Sequence, residues 1–290
     1  MTLQTLLQLS RVQNVFTAMA NVLAGILLAR GGTLHGADLR LIVASALFYM
    51  GGMVLGDVFD WEIDAIERPE RPIPSGRASF GGAVVLGLFQ LGMALWLVWP
   101  LGASPRLVAI ILVATIVLYD GVFKDALLGP VAMGACLFLH VCLGFAVAPW
   151  PEPWMWVAPT AIGMYTAVLS YLARDDVDGL IRDRARNAVH MMMVLFAVFV
   201  AFLTLLTPAT TFSGFALAGP FLVLLAMRGT VLFRPLERDA SPPTLGRAIG
   251  GGMLLMPVID ASVVATAGYF EWAWVVAGLS VPASLLRRWT

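Results

Sequence analysis

The chain has 290 residues, 60% of them hydrophobic and 12% charged, with a mean hydropathy of +0.87. No soluble domain of this size has that composition; no nucleic-acid partner is expected, and the net charge of zero says nothing about other partners. The reading left is an all-α, polytopic membrane helical bundle of nine to ten transmembrane helices around a central cavity, one domain over residues 1–290.

Apolar segments long enough to cross a bilayer recur at roughly Val12–Ala29, Leu39–Leu55, Gly81–Leu101, Leu107–Tyr119, Gly129–Ala148, Trp156–Leu172, Ala188–Thr207, Phe212–Met227, Ala248–Ala267 and Phe270–Leu286. The fourth is short and little separates the ninth from the tenth, so nine spans is the alternative to ten. Of the eighteen Lys and Arg residues, only Arg30, Arg40 and Arg106 fall on one side of the membrane. The positive-inside rule makes the other side cytoplasmic, with both termini there. The expected location is the inner membrane if the source is bacterial, with the charged loops facing the cytoplasm. The first ten residues carry no Lys or Arg and no small-residue cleavage site follows, so the first apolar stretch reads as a span and not as a cleavable leader. Cys136 and Cys142, both in the fifth span, are poorly placed to bridge and read as small packing residues.

The second span runs into Gly56-Asp57-Val58-Phe59-Asp60-Trp61-Glu62-Ile63-Asp64. Asp57, Asp60 and Asp64 stand at i, i+3 and i+7, one face of a helix. No Lys or Arg lies among them, so without a cation they mainly repel one another. Carboxylate oxygens suit a hard divalent ion. The rise of about 10 Å over seven helical residues suits an elongated diphosphate bridged by magnesium better than a compact cage, because Mg²⁺ shares carboxylates with substrate phosphates. The bland alternative is a solvated helix end. Next comes Arg68-Pro69-Glu70-Arg71-Pro72-Ile73-Pro74-Ser75-Gly76-Arg77. The prolines stiffen this loop and present Arg68, Arg71 and Arg77, whose guanidinium forks match phosphate oxygens; topogenic charge is a second, compatible role. After the sixth span, Arg174-Asp175-Asp176-Val177-Asp178-Gly179 forms another acidic cluster, with Arg174 and Arg182 available to phosphate. Four spans separate the two clusters, so both open on the same face.

Asp60 and Asp64, followed by Glu67 through Arg77, resemble the signature of the UbiA superfamily of intramembrane prenyltransferases. There, an Asn-x-x-x-Asp-x-x-x-Asp motif follows the second helix and another Asp-rich motif follows the sixth. Tyr119-Asp120-Gly121-Val122-Phe123-Lys124 and Arg11-x-x-Asn14 are similar to further family segments. The resemblance covers spans one to nine, and the general appearance is similar to the EboC-like branch. Two positions depart from the pattern. Gly56 stands where the family has its leading Asn, with Asp57 beside it as a substitute, and Gly179 stands at the last Asp of the second motif. The resemblance implies a UbiA-like bundle and magnesium-dependent transfer of an isoprenyl group from a prenyl diphosphate to an aromatic or other lipophilic acceptor within the membrane. It implies Asp60, Asp64, Asp175 and Lys124 as catalytic residues. Arg11, Asn14, Arg68, Arg71, Arg77, Tyr119 and Arg174 are the implied substrate-binding residues, and Asp57, Asp60, Asp64, Asp175 and Asp178 the Mg²⁺ ligands. The partners implied are the prenyl diphosphate, the acceptor and membrane lipid, with no obligatory protein partner. Phe16, Phe59 and Tyr119 offer aromatic faces to an allylic cation.

A charge at the bilayer centre costs about 2.5–3.5 kcal/mol on insertion scales, so Asp260 in the ninth span needs a partner or a function. His140, mid-span, is expected to hydrogen-bond a neighbouring helix and not a metal. Asn14 and Asn21, seven residues apart, share a face that is expected to look inward. Two other functions fit the residues. One is a membrane terpene cyclase or prenyl diphosphate lyase, with the same ionisation and intramolecular capture. The other is a cation-coupled transporter, which the gathering of charge at one mouth, away from the midplane, argues against.

Overall fold

The computed structural model describes residues 2–124, 126–149, 151–174, 181–205 and 212–286, and the side chains of the last stretch from 216 onward. Among the described residues all regular structure is helical. The helices are α1 (Leu3–Leu9), α2 (Val12–Ala29), α3 (Asp38–Phe59), α4 (Trp61–Glu67), α5 (Phe80–Val98), α6 (Ala103–Leu118), α7 (Gly129–Phe145), α8 (Val157–Leu172), α9 (Ile181–Leu205), α10 (Phe212–Phe233), α11 (Pro242–Met253), α12 (Met256–Thr266), α13 (Phe270–Gly278) and α14 (Ser280–Leu286). Among the described residues, eight helical stretches are long and apolar enough to cross a membrane. Two shorter apolar ones, Gly129–Phe145 and Phe270–Leu286, accompany them. These correspond to the apolar segments read from the sequence.

The helix ends depart from those readings for local reasons. α9 starts at Ile181, well before Ala188, because Arg182, Asp183, Arg184 and Arg186 extend the helix beyond the apolar part; Arg186 and Asp183 pair at 2.7 Å across one turn. The ninth span is two helices, α11 and α12, with a turn at Leu254–Leu255 between a glycine run and Pro257. α3 and α4 meet at Asp60, whose backbone stays near-helical (φ −85°, ψ −2°). The N–H of Asp60 reaches Gly56 O at 3.0 Å and that of Asp64 reaches Asp60 O at 2.8 Å. The acidic face therefore continues through the joint.

α2 packs on α3, α7, α12 and α14, and α3 on α5, α6 on α7, α7 on α8, α8 on α9, and α10 on α12. Small residues let these backbones touch, as membrane helices require in place of a hydrophobic drive. A Cβ on Gly144 would lie 2.3 Å from Val22 O, and one on Gly25 2.3 Å from Val141 O, which fixes the α2–α7 crossing. A Cβ on Gly134 would meet Gly163 O at 2.4 Å between α7 and α8.

The polar residues inside the bundle are tied to other helices. His140 Nδ1 and Ser45 Oγ are 2.9 Å apart, and Ser45 Oγ donates to Ala18 O at 2.8 Å. That links α7, α3 and α2 and gives His140 the interhelical bond expected of it. Asp260 is fully buried. With its amide nitrogen oriented to donate, Asn21 reaches Asp260 Oδ2 at 2.6 Å and Thr17 O at 3.2 Å, so the intramembrane acid has a partner on α2. Cys136 and Cys142 are buried free thiols. A cavity of about 970 Å³ opens between α8, α9 and α10 against α12; Trp156, Met164, Phe196, Phe199 and Phe233 are among its apolar walls.

Candidate active site

The acidic row sits where α3 passes into α4. Asp57 and Asp64 are buried, 7% and 3% exposed, and Asp60 lies between them at the helix joint. Buried carboxylates must be paired, and here the cations come from distant parts of the chain. Arg11 donates from Nη2 to Asp57 Oδ1 at 3.0 Å. Arg71 Nη1 donates to Asp64 Oδ2 at 2.5 Å and to Asp57 Oδ1 at 3.5 Å, and lies 4.0 Å from Asp60 Oδ2. Lys124 Nζ donates to Asp60 Oδ2. Three acids thus meet three bases. The sequence suggested repulsion because the neutralising residues are not neighbours in the chain.

Each cation is delivered by a specific local structure. Arg11 precedes α2 with φ 42° and ψ 49° and is the one non-glycine residue with positive φ among the described residues. A left-handed conformation at a non-glycine residue is uncommon and costs about 1–3 kcal/mol. It lets the chain turn between α1 and α2 with the guanidinium facing Asp57. Burial is the largest single influence and works against the Arg11 charge, but the attractions of Asp57, Tyr49 and Asp60 together outweigh it and hold the guanidinium pKa above its ordinary value. Arg71 sits in the proline-rich loop, which is folded and not merely stiff. Ser75 N donates to Arg71 O at 3.0 Å, Gly76 N to Ile73 O at 3.1 Å, and Ala78 N to Pro72 O at 2.9 Å. Gly76 takes φ 74° at the turn. Ile73 and Ala78 are buried with Leu9, Val54, Val58 and Ala83, anchoring the loop to α1, α3 and α5. Lys124 follows a single π-helical turn, Tyr119–Phe123, closed by Lys124 N donating to Tyr119 O at 2.9 Å.

Not every expected residue reaches this row. Arg77 is exposed and spends its guanidinium elsewhere: Nη1 donates to Gln8 Oε1 at 2.7 Å, Nη2 to Glu70 O at 2.6 Å and Nε to Ser75 Oγ at 3.1 Å. It staples the loop to α1. Arg68 ends α4, its N–H donating to Asp64 O at 2.9 Å. Asn14 lies close to the Tyr49 hydroxyl, across α2 and α3, next to Arg11. Tyr119 lies close to Ser170 near the C-terminal end of α8. Arg174 follows α8, and its carbonyl accepts from Arg184. Asp175 and Asp178 lie outside the described residues. The residues that sequence reasoning passed over are Tyr49 and Ser170, which carry no charge pattern, and Asp120, which stands beside Tyr119 in a segment singled out for its Tyr and Lys.

Each ion pair engages one carboxylate oxygen: Oδ1 of Asp57, Oδ2 of Asp60 and Oδ2 of Asp64. The row is hard, oxygen-only and charge-balanced. That donor chemistry fits Mg²⁺ brought in with an anion that takes over the basic side chains.

The fold and the site define an integral membrane protein, a helical bundle with a charged cluster of paired acids and bases at its helix ends. The family model for the UbiA prenyltransferase family matches residues 18–244. The chain is 30% identical over 238 residues to the digeranylgeranylglyceryl phosphate synthase of Methanothermobacter thermautotrophicus, covering 75% of this chain and 83% of that one. It is equally 30% identical, over 233 residues, to the enzyme of that name from Methanopyrus kandleri, covering 75% and 82%. Among solved structures it resembles a UbiA homologue from Aeropyrum pernix K1 in its apo form, with TM-score 0.67, 16% identity and coverage of 88% and 98%. It also resembles a UbiA homologue from Archaeoglobus fulgidus bound to DMAPP and Mg²⁺, with TM-score 0.66, 11% identity and coverage of 94% and 99%. The chain belongs to the UbiA prenyltransferase family and is a membrane-embedded prenyltransferase.

Proposed function

We propose that this protein transfers an isoprenyl group from a prenyl diphosphate to a lipophilic acceptor in the membrane, with Mg²⁺ as cofactor and the pocket on the cytoplasmic side. The observation that carries the reading is the acidic row Asp57, Asp60 and Asp64, neutralised by Arg11, Arg71 and Lys124. Support also comes from the Archaeoglobus homologue, which binds DMAPP and Mg²⁺, and from relatives whose name describes a geranylgeranylated glyceryl phosphate. A glyceryl phosphate ether lipid is therefore one acceptor to test first. The orientation rests on the one-sided distribution of Lys and Arg.

Asp57, Asp60 and Asp64 would hold the metal, joined by Asp175 and Asp178, which lie outside the described residues. When bound, Mg²⁺ supplies Lewis-acid stabilisation of charge on the leaving diphosphate. The chain's own cations do complementary work. Arg11, Arg71 and Lys124 exchange carboxylate partners for phosphate oxygens, and each exchange frees a carboxylate oxygen. Their charges meet the electron pair left on the diphosphate as the allylic C–O bond breaks. Phe59 stands within reach of this segment, since a Cβ on Gly121 would lie 3.5 Å from its ring; with Tyr119 it offers an aromatic face to the cation. The acceptor then bonds to the allylic carbon and loses its proton. The closeness of Tyr119 to Ser170, five residues before Asp175, supports convergence of the second acidic motif on the same mouth.

The test is diphosphate release by the purified protein supplied with geranylgeranyl or farnesyl diphosphate, with and without Mg²⁺. Release that needs Mg²⁺ and is lost in Asp60→Ala and Asp64→Ala supports the reading. No release at any chain length overturns it. Mass spectrometry of the lipid product separates transfer from intramolecular capture.

A further inference from the structure

Gly56, Asp60 and Asp64 follow one another at four-residue steps along α3 and α4, one row on one face. Two of the three carry carboxylates and the first carries no side chain. The space beside it is filled from another helix. A Cβ on Gly56 would lie 3.1 Å from Asp120 Oδ1 and 3.6 Å from its Cγ. The carboxylate of Asp120 therefore stands where a side chain at position 56 would be.

Asp120 arrives there on the π turn Tyr119–Phe123. Such turns insert one residue into a helix and recur at functional sites. Asp120 in this turn and Lys124 just after it both face α3, with Lys124 on Asp60 and Asp120 beside Gly56. Asp120 is half-buried and lies within electrostatic reach of Lys124, Asp60, Arg11 and Asp57. Asp57, Asp60 and Asp64 each have a basic partner. Asp120 makes no ion pair and no hydrogen bond through its carboxylate among the described residues. The carboxylate has been brought to the end of the row with its bonding capacity unspent, which suits a group whose partner is a ligand.

We infer that Asp120 is a further binding residue of this site: its carboxylate replaces a side chain at Gly56 and completes the row 56–60–64 toward a magnesium–diphosphate complex. The inference rests on the proposed function above. It gives Asp120 the substitute's place beside Gly56 that the sequence reading gave to Asp57.

The experiment measures Mn²⁺ bound to the detergent-purified protein in the presence of inorganic diphosphate, from the electron paramagnetic resonance of free Mn²⁺. Gel filtration and thermal unfolding monitor the fold of each variant. Asp120→Ala is expected to weaken Mn²⁺ binding by about 10-fold, the lower end of what loss of a supporting metal-site group costs. Gly56→Asn alone is expected to weaken it too, because the new side chain displaces the Asp120 carboxylate. Gly56→Asn combined with Asp120→Gly is expected to bring affinity back toward wild type, a rescue that a merely structural Asp120 does not produce. Wild-type affinity in Asp120→Ala, with binding abolished in Asp60→Ala, overturns the role of Asp120 and leaves the proposed function standing. Absence of Mn²⁺–diphosphate binding in the wild type removes both. If Asp120→Ala does not fold, the double variant decides: a folded double variant that fails to regain affinity overturns the inference.

Discussion

Arg71 is the shared cation of the acidic row, and its removal has a consequence that can be worked out. In Arg71→Ala the buried Asp64 loses its 2.5 Å partner, while Asp57 keeps Arg11 and Asp60 keeps Lys124. Breaking a buried pair by removing one member costs about 3–5 kcal/mol. The low end applies, because only one of the three acids is left without its close partner, so the expected loss is about 3 kcal/mol. For a chain of this size that is a fall of roughly 5 °C in Tm. The sign of the metal effect then follows. A divalent cation replaces the missing positive charge, so Mg²⁺ is expected to raise the Tm of Arg71→Ala by more than it raises that of the wild type. The assay is tryptophan-monitored thermal unfolding in detergent at a fixed scan rate, with and without Mg²⁺. An unchanged Tm in Arg71→Ala, or equal Mg²⁺ shifts in variant and wild type, would refute the idea that Arg71 neutralises a cation site.

The other predictions concern the scaffold. Gly144→Val places methyl groups against Val22 O and is expected to prevent recovery of monodisperse protein by gel filtration, whereas Gly36→Ala, which meets open space, leaves the elution profile unchanged. Arg77→Ala is expected to loosen the loop at residues 68–77, seen as faster proteolytic nicking there, while Mn²⁺–diphosphate affinity stays within about 3-fold of wild type, the scale of roughly 0.6 kcal/mol expected for an exposed charge. Asp239 accepts from the hydroxyls of Thr244 and Ser241 at 2.7 and 2.8 Å. Those bonds hold its carboxyl below the ordinary carboxylate range, so its contribution at the start of α11 is present above that range and is lost as pH falls through the lowered value. Hydrogen exchange at the Ser241, Thr244 and Leu245 amides is expected to speed up relative to its intrinsic rate at that lower pH, and Asp239→Asn is expected to remove this pH dependence.

Much of the fold could be read from the sequence because hydropathy alone marks a membrane span. Asp57, Asp60 and Asp64 were legible because helical spacing puts them on one face and the helix does continue through Asp60. The cations opposite them were legible as residue types and not as partners, since Arg11 and Lys124 come from separate helix ends and no local pattern pairs them with an acid. Arg77 has the same motif context as Arg71, yet a turn through Gly76 directs it to Gln8 on α1, a short helix the hydropathy reading did not mark. The break between α11 and α12 was signalled by Gly250-Gly251-Gly252 and Pro257, but a continuous apolar stretch concealed it. Asp120 was overlooked because its significance depends on what Gly56 lacks, a relation between two helices that appears only when they are packed.

The most direct measurement is a structure of the protein bound to Mg²⁺ and a non-hydrolysable prenyl thiodiphosphate. The account predicts the diphosphate between α3–α4 and the loop at residues 68–77, with Asp60 and Asp64 turned to the metal and Arg71 and Lys124 turned to phosphate oxygens. A diphosphate bound elsewhere, with the Arg71–Asp64 and Lys124–Asp60 pairs intact, would contradict it.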